Sequence, residues 1–451
     1  MAKKKRQANS VGFVALGCPK NTVDSERMLA HIVQGGMLIS EDPDQADAVV
    51  INTCGFIAPA KAESIGVIRH ALDCKRQGKI RKVLVAGCLS QRMGEALLQE
   101  VPGIDAVIGL EQRDQIAEII LKTLKQDHPG IFLEPELTRK PHAINQDDTR
   151  LLIGPAHRAY VRISEGCDHK CSFCTIPAIR GPFRSKPEDQ VVQEALELVN
   201  SGVKELNLVA QDTTSYERDL KVKDGLAHLL GRLDEIKDLP WIRLMYLYPT
   251  GVSDHLIKTL ATGQRILKYL DIPIQHASDR ILRAMRRPDK QSHLRGLIER
   301  LRLAMPDIIL RTTVIVGFPG ETDEEFEDLL SFIEWAQFDA LGCFPYFQEP
   351  GTEAATLPGQ IEESVKQERV EQLMMTQQAI AFAKNQQHVG RTLTCLVDDI
   401  EPDGTGIARY YGQAPEIDSV CLIANCRAEP GDFIQGHVTA TQDYDLVCES
   451  L

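Results

Sequence analysis

The chain has 451 residues, 43% of them hydrophobic and 25% charged, and its 51 basic against 64 acidic residues leave a net charge of −13. At a typical ~150 residues per domain, this length suggests two or three domains. The acidic balance argues against a broad nucleic-acid surface without excluding a local one, and no apolar run approaches the ~20 residues that cross a bilayer.

The opening MAKKKRQANS is basic and polar, lacks the apolar segment of a signal peptide, and reads as a disordered tail. The twelve cysteines are therefore expected in a reducing cytoplasm, where clustered cysteines bind metal or do chemistry more often than they form disulfides. Between residues 11 and 124, the runs VGFVALGC, AVVINTCGF, KVLVAGC and AVIGL alternate with helical patterns, which predicts a small parallel α/β domain over 9–124. Prolines, charges and weak periodicity then mark residues 125–152 as a linker. Six further strand-like runs follow at intervals of ~25 to 45 residues: AYVRISEG, ELNLVAQD, WIRLMYLYP, YLDIPIQHA, ILRTTVIVGFPG and ALGCFPYFQ. They predict a partial (βα)6 barrel over 153–385, with ligands gathered at the carboxyl ends of the strands. After a charged helical stretch, period-two alternation broken by EPDGTG, APEID and EPGD predicts a small antiparallel β-barrel over 388–451.

The segment EGCDHKCSFCTIPAIRG, residues 165–181, places Cys167, Cys171 and Cys174 directly after the first barrel strand. A cubane iron–sulfur cluster normally takes four cysteines, so three leave one iron free for a ligand that is not protein. A zinc site with His169 as fourth ligand is the alternative, but His169 stands two residues from both Cys167 and Cys171, which is cramped for tetrahedral closure. The C-x3-C-x2-C spacing, with Phe173 before the last cysteine at the end of a first barrel strand, resembles the radical S-adenosylmethionine (SAM) superfamily. The resemblance implies a 4Fe-4S cluster whose open iron is chelated by SAM, and an electron passed through it to cleave the sulfonium and yield a deoxyadenosyl radical.

Cys18, Cys54 and Cys88 each end an apolar run, in VALGC, VINTC and LVAGC, so all three should fall on one edge of the first sheet and make a second three-cysteine site. Cys74, Cys343, Cys395, Cys421, Cys426 and Cys448 share no such context and read as structural. An α/β domain with three strand-end cysteines, a radical SAM core and a terminal barrel like the TRAM domain is similar to the methylthiotransferases over nearly the whole chain. That resemblance implies a second 4Fe-4S cluster holding the inserted sulfur, with SAM as both radical source and methyl donor. LGCPKNTVDSE, NTCGFIAPAKAESI, YLDIPIQHAS and DGTGIARYYGQAPEIDSV resemble the RimO branch, which modifies an aspartate of small-subunit ribosomal protein S-twelve, more than the branch that modifies transfer RNA adenosine.

Net charge agrees: residues 390–451 carry three arginines against eleven acids, a balance of −8, whereas a phosphate-tracking surface needs the opposite sign. A basic ribosomal protein suits such a barrel, with Asp398, Asp399, Glu401 and Asp403 as candidate exposed carboxylates. A flavodoxin-like or reductase electron donor and a sulfur donor are further implied partners, with no membrane and no nucleic-acid substrate. By the same resemblance Phe173, Gln211, Gln275, Gly317 and Glu321 are candidate SAM contacts at strand ends, and Asp212 shares the Gln211 position; each could equally be a turn or capping residue. Arg180 and Arg184 are candidates for a substrate or cofactor carboxylate, or for surface salt bridges. A colourless zinc-binding module with an acidic interaction domain is the non-enzymatic rival.

Overall fold

Runs of valine, isoleucine and alanine near the start of the chain form six parallel strands: β1 (Ser10–Ala15), β2 (Leu38–Ile39), β3 (Ala46–Thr53), β4 (Ile80–Gly87), β5 (Ala106–Ile108) and β6 (Gly130–Phe132). The computed structural model describes residues 9–133, 147 and 149–451; the basic opening, residues 1–8, and much of the expected linker lie outside the described residues. The chain divides into two units, one of residues up to 153 with 165–169 and 175–184, the other of 154–164, 170–174 and 185–451.

In the first unit the strand order is β2-β1-β3-β4-β5-β6. Alternate residues of its strands face opposite ways, so Val49, Ile51, Val83 and Val85 pack on one side with Ile65, Ile68 and Leu72 of α2 (Ala58–Arg76). Val11, Val50, Leu84 and Ile108 pack on the other with Met28 and Ile32 of α1 (Pro19–Gln34). Both faces are covered, as a parallel sheet requires. β6 pairs with β5 from within the stretch expected as linker, so the first sheet reaches beyond residue 124.

In the second unit, β7 (Arg158–Arg162), β10 (Glu205–Val209), β11 (Trp241–Leu244), β12 (Ile266–Asp271), β13 (Ile309–Val316) and β14 (Ala340–Pro345) form an all-parallel sheet in the order β14-β13-β12-β11-β10-β7. These are the six expected units, and β8 (Ser164–Glu165) pairs separately with β9 (Arg184–Ser185). A long helix, Glu363–Gln386, leads to a closed barrel of β15 (Thr392–Ile400), β16 (Gly406–Tyr410), β17 (Cys421–Ala424), β18 (Phe433–Gln442) and β19 (Asp445–Ser450). The barrel is not wholly antiparallel, because β17 and β19 close it with a parallel pairing. Cys395, Cys421 and Cys448 lie in its apolar core, which accounts for them structurally.

Candidate functional site: two three-cysteine centres

Cys18, Cys54 and Cys88 follow the carboxyl ends of β1, β3 and β4, which are adjacent and in register as Ala15↔Asn52 and Thr53↔Gly87. Pro19 starts α1 immediately after Cys18, and α3 (Cys88–Met93) starts at Cys88 itself. Asn21 ties the strand ends together: its Nδ2 donates to the carbonyls of Leu16 at 3.0 Å and Thr53 at 2.9 Å. Ser64 brackets Cys54, accepting from its amide at 3.1 Å and donating to its carbonyl at 2.9 Å. Gly17 has φ +95°, and a Cβ there would stand 2.9 Å from the Cβ of Cys54, so only glycine lets these two segments approach.

A buried cation faces the thiols. Arg180 Nη2 lies 3.2 Å from Cys88 Sγ, 2.6 Å from Asn21 Oδ1 and 3.1 Å from Asp24 Oδ2, while Nη1 donates to Glu165 Oε1 at 2.9 Å. Arg113 also meets Asp24, and stands 3.6 Å from Glu165. Burial opposes ionisation of Cys18, yet Lys20, Arg180 and the amides of Asn21 and Lys20 outweigh it and bring the thiol below its ordinary range. Burial pushes Cys54 up, and drives Cys88 to about 12 against the pull of Arg180. Arg180 forms no surface salt bridge, because its side chain is only 2% exposed; Arg184 does pair with Glu111, at 3.2 Å.

Three soft sulfur donors, two of them partly exposed, suit a metal centre with room for a non-protein ligand. Zinc bound at ~2.3 Å would hold its sulfurs about 3.8 Å apart.

The second motif follows β7. Gly166 has φ +78°, and a Cβ there would stand 2.1 Å from the Pro182 carbonyl, so the turn into Cys167 needs glycine. The Cys167 amide donates to Gly181 O at 3.1 Å. In the other unit, Ser172 anchors the loop through its amide to Met285 O at 3.0 Å and its hydroxyl to Ala284 O at 2.8 Å. Phe173 packs on Ile281, Met285, Phe318, Tyr346 and Ala354, so the aromatic before the last cysteine fixes the loop. Burial raises the Cys171 thiol, while Arg287 and Tyr248 favour its thiolate. The Arg287 guanidinium lies 4.1 Å from the centre of the Tyr248 ring.

Gln211 follows β10, and the Asp212 carboxylate caps the next turn, accepting from the Thr214 amide at 2.9 Å and Ser215 Oγ at 2.6 Å. Gln275 follows β12 with φ +69°, an uncommon conformation for a residue with a side chain, held by hydrogen bonds to Thr313 O and from Ile315 N. Gly317 follows β13 with φ +71°. Glu321 accepts from the Phe318 amide at 3.1 Å and from Arg369 Nη1 at 2.7 Å, so its carboxylate is a strut of the GFPGE turn.

Sequence reasoning missed Asn21, Asp24 and Glu165 beside the first triplet and Tyr248 and Arg287 beside Cys171. Asn21 alone had a local signal: three residues after a cysteine that precedes a helix, its side chain can turn back to the strand ends.

Known proteins resemble the chain throughout. Residues 10–109 match the uncharacterized protein family UPF0004, 161–333 the radical SAM superfamily and 389–450 the TRAM domain. The ribosomal protein uS12 methylthiotransferase RimO of Trichlorobacter lovleyi is 43% identical over 98% of both chains, and that of Desulforamulus reducens 42% identical over 98% of this chain and 99% of its own. This chain belongs to the RimO family of ribosomal protein uS12 methylthiotransferases. The fold also resembles the radical SAM methyltransferase TsrM from Kitasatospora setae, with a TM-score of 0.56 at 14% identity over 86% of this chain and 81% of that one. The acidic terminal barrel coincides with the residues that match the TRAM domain.

Proposed function

We propose that the chain installs a methylthio group on the β-carbon of an aspartate in ribosomal protein uS12, using two 4Fe-4S clusters and SAM. The observation that carries this reading is the pair of three-thiol sites in one chain: one at the carboxyl ends of adjacent strands of the first sheet, one in the C-x3-C-x2-C loop after β7. Cys167, Cys171 and Cys174 would hold the cluster that engages SAM; Cys18, Cys54 and Cys88 would hold the cluster associated with the sulfur. When bound, such a cluster supplies an iron not ligated by protein and an electron for cleaving the SAM sulfonium. An unactivated C–H bond offers no acidic proton to a side-chain base, so this chain's residues serve to bind, orient and exclude water.

Phe173, Gln211, Gln275 and Gly317 are assigned to the SAM pocket. Phe173 holds the loop, and the left-handed turns at Gln275 and Gly317 set the backbone at the ends of β12 and β13. Residues 9–124, 153–385 and 388–451 are taken as the three functional domains, joined through 125–152. A flavodoxin-like or reductase electron donor, a sulfur donor and a cytoplasmic setting complete the reading, and no helix among the described residues is long and apolar enough to cross a membrane. Transfer RNA adenosine as substrate is disfavoured by the −8 charge of residues 390–451.

The test is mass spectrometry of uS12 after anaerobic incubation with the reconstituted enzyme, SAM, reductant and sulfide. The aspartate should gain a methylthio group in place of hydrogen. Methylthioadenosine in transfer RNA with unmodified uS12 would overturn the reading.

A further inference from the structure

Arg180 sits where no solvent-facing or purely structural need explains all of its partners. Its Nη2 carries two hydrogens but has three acceptors within reach, Asn21 Oδ1 at 2.6 Å, Asp24 Oδ2 at 3.1 Å and Cys88 Sγ at 3.2 Å. The two carboxylates beside it, Asp24 and Glu165, are also approached by Arg113, so they already have a second cation. What Arg180 alone contributes is an N–H directed at the sulfur of Cys88, inside a pocket closed by the buried side chains of Leu110 and Ile179. In such a low-dielectric setting a charge-assisted hydrogen bond is stronger than at a surface. Hydrogen bonds to ligand sulfurs and nearby charge are what set the potential of an iron–sulfur centre.

We infer that Arg180 is a positioning and tuning residue for the cluster held by Cys18, Cys54 and Cys88: its guanidinium donates to Cys88 Sγ and raises the reduction potential of that cluster. This rests on the reading of those three cysteines as cluster ligands. The sign follows from charge. Reduction adds one electron to a centre already surrounded by thiolates, and a buried cation bonded to one of the sulfurs stabilises the reduced form more than the oxidised form. Asn21 and Asp24 hold the guanidinium plane in place, so the donor is oriented before a cluster binds.

The experiment uses the full chain with Cys167, Cys171 and Cys174 replaced by Ala, so that only the second cluster is observed, and follows reduction by dithionite in an EPR-monitored redox titration. In that background Arg180→Gln should make reduction at least tenfold less favourable, a fall of about 59 mV for a one-electron couple. Arg180→Lys keeps the charge but loses the planar fork, and should give a smaller fall in the same direction. If Arg180→Gln does not fold, the Lys variant carries the test alone. A cluster of unchanged potential in every variant that folds would overturn the inference and leave Arg180 a structural ion-pair partner. A parent background that holds no iron–sulfur cluster would instead overturn the assignment of Cys18, Cys54 and Cys88.

Discussion

Arg409 links the terminal barrel to the parallel sheet of the same unit. Its Nη2 donates to Glu205 Oε2 at 2.7 Å and to Asp398 Oδ1 at 2.9 Å, and Asp398 in turn meets His157 at 2.8 Å. Arg243 completes the cluster with a 2.8 Å bond to Glu205. Arg409, Arg243 and Glu205 are almost wholly buried, so removing one partner strands an uncompensated charge. Arg409→Met should therefore destabilise this unit by about 3–5 kcal/mol, read by denaturant unfolding. Although burial opposes it, the bonds from His157 and Arg409 hold the Asp398 carboxyl well below its ordinary range, and Arg409 and Arg243 do the same for Glu205. Depressed folded values mean that this stability is present above the unfolded carboxylate range, near pH ~4, and is lost as pH falls through the lower folded values. Stability should be flat from about pH 5 to 8 in the parent and fall below that range, whereas in Arg409→Met, where the folded values of Asp398 and Glu205 return toward the unfolded ones, the part of the acid loss that these carboxylates cause should shrink. Asp398 is thus withdrawn from the carboxylates expected to meet a partner. Nothing local in the sequence distinguishes it from Asp399: the register of β15 against β16 shifts between Val397 and Asp399, so period-two alternation fails at that residue. The strand-end cysteines were legible because an apolar run followed by cysteine is a local pattern. Arg180 was legible only as a charged residue after the C-x3-C-x2-C loop, because its burial against Asn21 and Cys88 depends on contacts across 159 and 92 positions of chain.

The end of β15 and the hairpin turn into β16 carry the candidate acids that remain exposed, Asp399 in the strand and Glu401 and Asp403 in the turn. Its geometry is local: the Glu401 amide donates to Thr405 O at 2.8 Å, and Asp403 accepts from the Thr405 amide at 2.9 Å. Replacing Asp399, Glu401 and Asp403 by Lys should slow association with basic uS12 and flatten its salt dependence, because screening shortens such fields to ~8 Å at physiological ionic strength. Surface plasmon resonance at two salt concentrations measures both, with iron content and uncoupled SAM cleavage unchanged. Binding indifferent to salt and to these substitutions would remove electrostatic recruitment from the account. At this scale the sequence was most readable where elements repeat: each of the six barrel strands overlaps the run expected of it, although β12 begins at Ile266, three residues before its run, and β7 at Arg158, one before, since βα units recur along the chain. β2 and β6 are two and three residues long, too short to show any period, and β6 lies in the proline-flanked stretch HPGIFLEP. Alternation also says nothing about strand direction, which is why the parallel β17–β19 closure was not foreseen.

Across the whole molecule, one chain carries two sets of three thiols with different surroundings. Those at the strand ends of the first sheet face a buried arginine held by Asn21 and carboxylates, while Cys171 in the loop after β7 is flanked by Arg287 and Tyr248. That difference in environment is what a division of labour between two clusters requires. Replacing Cys18, Cys54 and Cys88 together by Ala, then assaying iron, deoxyadenosine and methylthiolated uS12 in the same anaerobic reaction, tests it most directly. About half the iron should be lost, deoxyadenosine should still form, and no methylthiolated product should appear. Unchanged iron, or methylthiolated uS12 at the parent level, would contradict it.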